Sequence, residues 1–314
     1  MQTMDSIAQL ATVPGPVCLA VGVFDGVHLG HQAVIGRALA DAEAFGGNAV
    51  VVTFDPHPMR VLRPEHAPRL LTSTLHKRLL LERVGVRHLL VLPFTAEFAG
   101  MEAQTFVHAL AEACRPLRTI CVGHTWSFGK GRAGNLELLR KMGDQLGFDE
   151  IGMEAVELDG EIVSSTLIRA CVEGGELEKA GRLLGRRFSI LGTVKRGRQL
   201  GKTLGFPTAN LSAHNEQYPP NGVYAVEARL PDAGGEGALL QGVVNIGVRP
   251  TLREPGGERL LELHLFDFDD DLYGRNVEVF FHRFLRPEKT FPDLDALTAQ
   301  IGCDVLKARR ALAS

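Results

Sequence analysis

The sequence predicts two successive architectures: an α/β half built on a parallel sheet, then a small antiparallel β-barrel that ends in a helix. Three observations predict this. Over roughly the first 184 residues, short apolar runs alternate with helical patterns, the mark of strand–helix–strand units. Beyond that point strand patterns follow one another with Gly and Pro turns and no crossover helices between them. A chain of 314 residues is also long for one core and suggests about two domains.

Taken in order, Val17 to Val23 is apolar enough for a buried parallel strand. Val34, Ile35, Ala38, Leu39, Ala42 and Phe45 then share a helical face that ends at Gly46-Gly47, and Asn48 to Phe54 reads as the next strand. The alternation continues with a helix over Leu75 to Val84 and a strand over Leu89 to Leu92. A helix over Gln104 to Cys114 and a strand over Thr119 to Val122 follow. Next come a helix over Leu136 to Leu146, an extended Met153 to Leu158, and a short helix after Ser164 and Ser165. Ligands of such folds lie at the carboxyl ends of the strands, so the loops after Val23, Phe54 and Val122 should face one site. In the second half, Phe188 to Val194, Val223 to Leu230, Leu240 to Ile246, Leu261 to Phe268 and Val277 to Phe284 read as strands, and Leu294 to Leu312 as the closing helix. Glu173-Gly174-Gly175 reads as a turn between helices, which puts the linker near Leu184 to Arg187 and the domains at 1–184 and 185–314.

Composition narrows the function. A net charge of −3 gives no electrostatic reason to expect nucleic acid as a partner. Cys18, Cys114, Cys121, Cys171 and Cys303 are scattered, with no CxxC pair, which argues against a zinc knuckle or a disulfide framework and fits a reducing compartment. No apolar run approaches the ~20 residues that a membrane span needs, and no N-terminal segment has the build of a secretory signal. A soluble cytoplasmic protein without a membrane partner is expected.

The first chemical constellation follows the first strand, in the run Gly22-Val23-Phe24-Asp25-Gly26-Val27-His28-Leu29-Gly30-His31. Two histidines around a glycine at a helix start can both face a phosphate. The helix end supplies N–H groups, and Gly30 allows close approach to the backbone. Taken alone, His28 and His31 could equally be capping residues or metal ligands. In this context the run resembles that of the HxGH nucleotidyltransferases. So does Ser164-Ser165-Thr166-Leu167-Ile168-Arg169, which matches that superfamily's S-[ST]-T-x-[IV]-R signature. The resemblance implies a Rossmann-like nucleotidyltransferase domain. In it Gly22, Phe24, Asp25, Gly30, Ser164, Ser165, Thr166 and Arg169 bind ATP phosphates, and His28 and His31 are catalytic.

Two further segments narrow this to bacterial FAD synthetases: Phe54-Asp55-Pro56-His57-Pro58, and the loop Gly123 to Gly134, which contains Trp126 and Phe128. By resemblance Phe54, Pro56, Pro58, Trp126 and Phe128 bind the flavin; on composition alone they could be turn and core residues. Thr125 stands where that family usually has Asp or Asn, which puts a direct flavin contact there in doubt.

The second constellation is Gly192 to Leu211, GTVKRGRQLGKTLGFPTANL. Gly201-Lys202-Thr203 is not a Walker A tail, since Arg196 occupies the position where glycine is required. The segment resembles the signature of riboflavin kinases. The resemblance implies that Gly192, Gly197, Gly201, Lys202, Gly205, Pro207, Thr208 and Asn210 bind ATP phosphates and that Thr208 and Asn210 hold Mg²⁺, a cation suited to hard oxygen ligands. Leu261 to Phe268 matches the same family's ExHLxDF strand, which makes Glu262 the general base, with Asp267 structural. Arg286 and Glu288 fall where that family binds flavin.

The resemblance to bifunctional riboflavin kinase/FMN adenylyltransferases spans about Val17 to Leu312. It implies phosphorylation of riboflavin to FMN by ATP, then adenylylation of FMN to FAD with release of pyrophosphate. A single-activity transferase or a flavin-sensing regulator is the competing expectation. The intact GKxLGFPTAN run and Glu262 speak against the first, and the retention of Glu262 and both histidines speaks against the second.

Overall fold

The computed structural model describes residues 1–196, 205–231, 239–249 and 258–313. It divides into two compact units, one of Met1–Arg69 with Thr74–Ser165, the other of Leu70–Ser73 with Thr166–Ser314.

In the first unit β1 (Gln2–Met4), β2 (Val17–Val21), β3 (Asn48–Asp55), β4 (His88–Pro93), β5 (Leu117–Gly123) and β6 (Asp149–Met153) form one sheet in the order β1-β4-β3-β2-β5-β6. Every pairing is parallel. The helices are α1 (Leu29–Ala44), α2 (Pro58–Leu62), α3 (Thr74–Arg83), α4 (Ala96–Ala99), α5 (Ala103–Ala113) and α6 (Leu136–Leu146). Strand β2 explains why its run is continuously apolar. Val17, Leu19 and Val21 enter the core that holds Phe106, Leu110 and Leu139, while Cys18 and Ala20 enter the one that holds Val34, Ile35 and Leu81. A strand covered on both faces has no polar side to alternate with. The chain runs outward from β2 through β3 to β4 and then crosses back to β5 on the other side of β2, so the switch point of the sheet lies between β2 and β5, where such folds open a ligand crevice.

The structure corrects the expected extended segment Met153 to Leu158. The strand is Asp149–Met153, paired with β5, and the chain then forms a small hairpin of β7 (Glu157–Leu158) and β8 (Glu161–Ile162). The polar start of β6, Asp149-Glu150, hid it, because an edge strand needs only one buried face. The short edge strand β1 was not expected either.

The second unit begins its main run with α7 (Ser165–Glu173) and α8 (Leu177–Leu184). A closed six-stranded antiparallel barrel follows. Its strands are β9 (Ser189–Lys195), β10 (Ala209–Ala213), β11 (Gly222–Arg229), β12 (Leu240–Arg249), β13 (Glu258–Leu265) and β14 (Asn276–Arg286), in the order β10-β13-β12-β11-β14-β9. Helix α9 (Leu294–Leu312), capped by the Asp293 carboxylate on the Ala296 N–H, lies on the outside, with Ala308, Val305 and Leu312 against Val223, Ala225, Val243 and Phe266. The expected strand to Phe268 stops at Leu265, because the chain turns through Asp267 at φ +55°.

Candidate active sites

The first site is built on the turn that joins β2 to α1. Phe24 and Val27 have φ of +52° and +43°, a conformation costing about 1–3 kcal/mol for a residue with a side chain. Both are buried, and Asp25 between them is only 2% exposed. Gly22 is required because Phe24 folds back over it: a Cβ there would lie 2.9 Å from the phenyl ring. At Gly30 a Cβ would lie 3.2 Å from the His28 ring. The Ser165 hydroxyl donates to the Asp25 carbonyl at 2.9 Å and ties the second signature to the first.

His28 is the N-cap of α1, and its Nδ1 accepts the His31 N–H at 3.3 Å. The two imidazoles stack, with centroids 3.5 Å apart and planes 20° apart, and His31 meets the Phe24 edge at 5.3 Å. The capping reading of His28 is therefore correct but incomplete. A neutral imidazole that accepts on Nδ1 carries its proton on Nε2, so capping sets His28 up as a donor from its other edge. Donors at a helix N-terminus suit an anion. Ser164 and Ser165 lie in this unit, while Thr166 and Arg169, on the first turns of α7, belong to the second.

The predicted flavin residues are linked through rings that the sequence did not single out. Phe54, at the end of β3, contacts Phe94 at 5.8 Å and Phe98 at 6.0 Å. Phe98 meets Phe106 at 5.8 Å, Phe106 meets Phe128 at 6.2 Å, and Trp126 stacks on Phe128 at 4.2 Å with planes 15° apart. The loop can fold this tightly because Gly129 and Gly134 have no Cβ to strike Ala103 and the Phe128 ring. Pro56 and Pro58 flank His57, whose ring caps α2 through the Met59 N–H. Thr125 is exposed.

A further residue, missed from the sequence, lies beneath this turn. Lys77 on α3 is 6% exposed, and its Nζ donates to the Val23 carbonyl at 2.7 Å and to Thr53 Oγ1 at 3.3 Å. Burial pushes its pKa down, against the opposing pull of Asp25 and Asp55. A signal was present: Lys77 stands in the stripe that buries Leu80 and Leu81.

The second site is a row across the barrel. Lys195, Asn210, Glu262 and Asn245 are successive cross-strand partners on β9, β10, β13 and β12. Residues directly opposite in a ladder share a face, so these side chains project together. Burial raises the Glu262 pKa, the Asn245 amide opposes this by donating to the carboxylate, and the charge of Glu288 adds to it. Beside Glu262 the His264 ring holds the Pro207 carbonyl at 2.8 Å and meets Phe206 edge-on, which seats the segment running into Thr208 and Asn210 against β13. Thr208 and Asn210 are both partly exposed.

Other predicted residues have visible structural tasks. Gly192 sits within β9, where a Cβ would come 2.9 Å from the Ser212 carbonyl, and Gly205 takes φ +80°. Arg286 donates to both oxygens of buried Asp304 on α9, at 3.1 and 2.9 Å from Nε and 2.7 Å from Nη2. Glu288 accepts from Asn221 at 3.3 Å and leaves no room for a Cβ at Gly247. Asp267 pairs with Arg309 at 2.8 Å on the surface. Gly197, Gly201 and Lys202 lie outside the described residues.

Comparison with known proteins covers the same two halves. A family model for FAD synthetase matches residues 11–167, and one for riboflavin kinase matches 184–312. The chain is 37% identical over 310 residues to the bifunctional riboflavin kinase/FMN adenylyltransferase of Escherichia coli K12, covering 98% of this chain and 97% of that one. It is 39% identical over 293 residues to the protein so named in Pseudomonas fluorescens, covering 93% of this chain and 92% of that one. A crystal structure described as a macrolide-efflux protein from Streptococcus pneumoniae superposes with a TM-score of 0.82 at 29% identity, covering 98% and 99% of the two chains. In the present chain no helix among the described residues is long and apolar enough to cross a membrane. Two family models in tandem, with relatives aligned over more than nine-tenths of the chain, show that it belongs to the bifunctional riboflavin kinase/FMN adenylyltransferase family.

Proposed function

We propose that residues 185–314 transfer the γ-phosphoryl group of ATP to riboflavin, and that residues 1–184 join the resulting FMN to the AMP part of a second ATP, releasing pyrophosphate. The observation that carries this reading is the presence of two unlike side-chain constellations in one chain. One has a positioned carboxylate and the other has stacked imidazoles at a helix start.

In the kinase half Glu262 accepts the proton of the riboflavin ribityl hydroxyl as its oxygen attacks the γ-phosphorus. The raised pKa of Glu262 supports this, since a base works best when its pKa approaches the operating pH. Asn245 keeps the carboxylate oriented along the ladder. The Thr208 hydroxyl and Asn210 amide oxygen are hard donors beside that carboxylate and suit Mg²⁺, which when bound would neutralise charge on the transferring phosphoryl group. Gly192, Gly197, Gly201, Lys202, Gly205 and Pro207 are assigned to ATP, and Arg286 and Glu288 to the flavin side. For Arg286 that task is shared with holding Asp304.

In the adenylyltransferase half the FMN phosphate is already anionic at neutral pH, so it attacks the α-phosphorus without a base. His28 and His31 donate to the phosphate oxygens as negative charge builds and as pyrophosphate departs. Gly22, Phe24, Asp25, Gly30, Ser164 and Ser165 are assigned to ATP, as the family signature also assigns Thr166 and Arg169, and Phe54, Pro56, Pro58, Trp126 and Phe128 are assigned to the flavin. The five scattered cysteines, with no CxxC pair, support a cytoplasmic setting, and burial pushes Cys114 and Cys121 up to about 12, which makes those two thiols unreactive.

Incubation of the purified protein with riboflavin and MgATP, followed by chromatographic separation of flavins, tests the reading. FMN and then FAD should form. FMN alone would leave only the kinase, and unchanged riboflavin would reduce the chain to a flavin binder.

A further inference from the structure

The turn that carries His28 and His31 is strained at two buried residues, and strain of this kind persists only when the surroundings over-determine it. Among the contacts that fix the turn from outside, two bracket its strained residues. The later one is the Ser165 hydroxyl on the Asp25 carbonyl. The earlier one is the Val23 carbonyl, the last before Phe24 enters the positive-φ region, and it receives two donors. Thr53 Oγ1 donates to it at 2.9 Å from β3, and Lys77 Nζ at 2.7 Å from α3. One carbonyl oxygen has two acceptor directions, so both are filled.

A buried lysine is an expensive way to satisfy a carbonyl, because an ammonium loses far more hydration on burial than a neutral donor does. Thr53 alone would have served for a hydrogen bond. What an ammonium adds is charge, and Lys77 lies within electrostatic reach of both Asp25, in the turn after β2, and Asp55, the last residue of β3. Uncompensated, those carboxylates would repel a polyphosphate arriving at the same turn.

We propose that Lys77 is a positioning residue for adenylyl transfer: it holds the Val23 carbonyl from beneath, so that the turn presents His28 and His31, and it neutralises the two carboxylates beside the phosphate path. The inference rests on the adenylyltransferase reading of the first unit. Lys77 touches no substrate in this scheme and acts through the backbone it holds.

The test is Lys77→Met, which keeps the chain length but removes charge and donor. FAD formation from FMN is measured with ATP and FMN varied separately, and riboflavin phosphorylation by the same preparation reports on whether the protein is folded. The expected result is a fall of about 10²-fold in kcat/KM for ATP, of the size that misplacement of reacting groups produces, with KM for ATP raised as well as kcat lowered. Thr53→Val removes the second donor and one acceptor of Lys77 while the lysine stays in place, and should give the same pattern at about 10-fold. A smaller folded fraction lowers kcat and leaves KM unchanged, so a loss carried by kcat alone overturns the proposal. So does a kcat/KM within about threefold of wild type for Lys77→Met or, if that protein is insoluble, for Thr53→Val. Wild-type protein that makes no FAD would remove the parent reading together with the inference.

Discussion

The two halves carry their candidate site residues by opposite structural means. In the first unit the donors sit on a bent, strained turn, where Phe24 and Val27 are forced to positive φ and two imidazoles are stacked over Gly30. In the second, Lys195, Asn210, Glu262 and Asn245 stand in a regular row on unstrained strands. The proposed chemistry accounts for the difference. Attack by a phosphate that is already ionised needs charge stabilisation, which backbone N–H groups and ring donors around a tight turn supply. Attack by an alcohol needs a base at a set place, and a rigid ladder holds one carboxylate there. A base also needs its pKa tuned, and at Glu262 burial raises it, the Asn245 amide across the ladder lowers it and the charge of Glu288, just past β14, raises it further.

The sharpest way to break this comparison is Glu262→Gln. The amide keeps the size of the carboxylate but cannot take the proton, so FMN formation should fall by about 10²–10⁴-fold. FAD formation from supplied FMN should continue. A variant that phosphorylates riboflavin at near wild-type rate removes Glu262 from the chemistry.

The reciprocal change, His28→Ala with His31→Ala, should lower FAD formation by about 10²–10³-fold while FMN still accumulates from riboflavin. Equal loss of both activities would mean that the two halves do not act through separate machinery.

A finer contrast lies in pH. Glu262 serves as a base only when ionised, and its folded pKa is raised, so kinase kcat should fall on acidification at a higher pH than an ordinary carboxylate would dictate. Glu288→Gln removes the like charge and should move that acid limb down. Asn245→Leu removes the donor that favours the ionised form and should move it up. Shifts in the same direction for both variants would contradict the opposed tuning, as would an identical acid limb in adenylyl transfer.

The smallest effect is expected at Thr125, exposed in the loop that follows β5. If this loop touches the flavin, Thr125→Asn should change KM for FMN by roughly threefold or more and leave KM for ATP nearly unchanged, as expected for a contact worth a fraction of a kcal/mol. Equal effects on both substrates would mean that the residue only shapes the loop.

Much of this was legible before any coordinates. The order of apolar runs and turns decided the two architectures: both-face burial makes β2 continuously apolar, and strands separated by Gly and Pro turns with no crossover helices mark the barrel. The motif residues His28, His31, Thr208, Asn210 and Glu262 could be named because their chemistry is carried by residue type and order along the chain. Tertiary structure alone decided which groups act on them. Lys77 is 54 residues from the carbonyl it holds, and Asn245 meets Glu262 only through strand register. Phe94, Phe98 and Phe106 join the predicted aromatic residues only once β4 and α5 have packed. Arg286 likewise carries no sign in the sequence that Asp304, eighteen residues on, will bind it through a helix folded back onto the barrel. The physical reason is common to all four. Periodicity and motifs report on near neighbours along the chain, whereas a buried charge or a shared hydrogen bond is set by whatever distant segment the fold brings within about 3 Å.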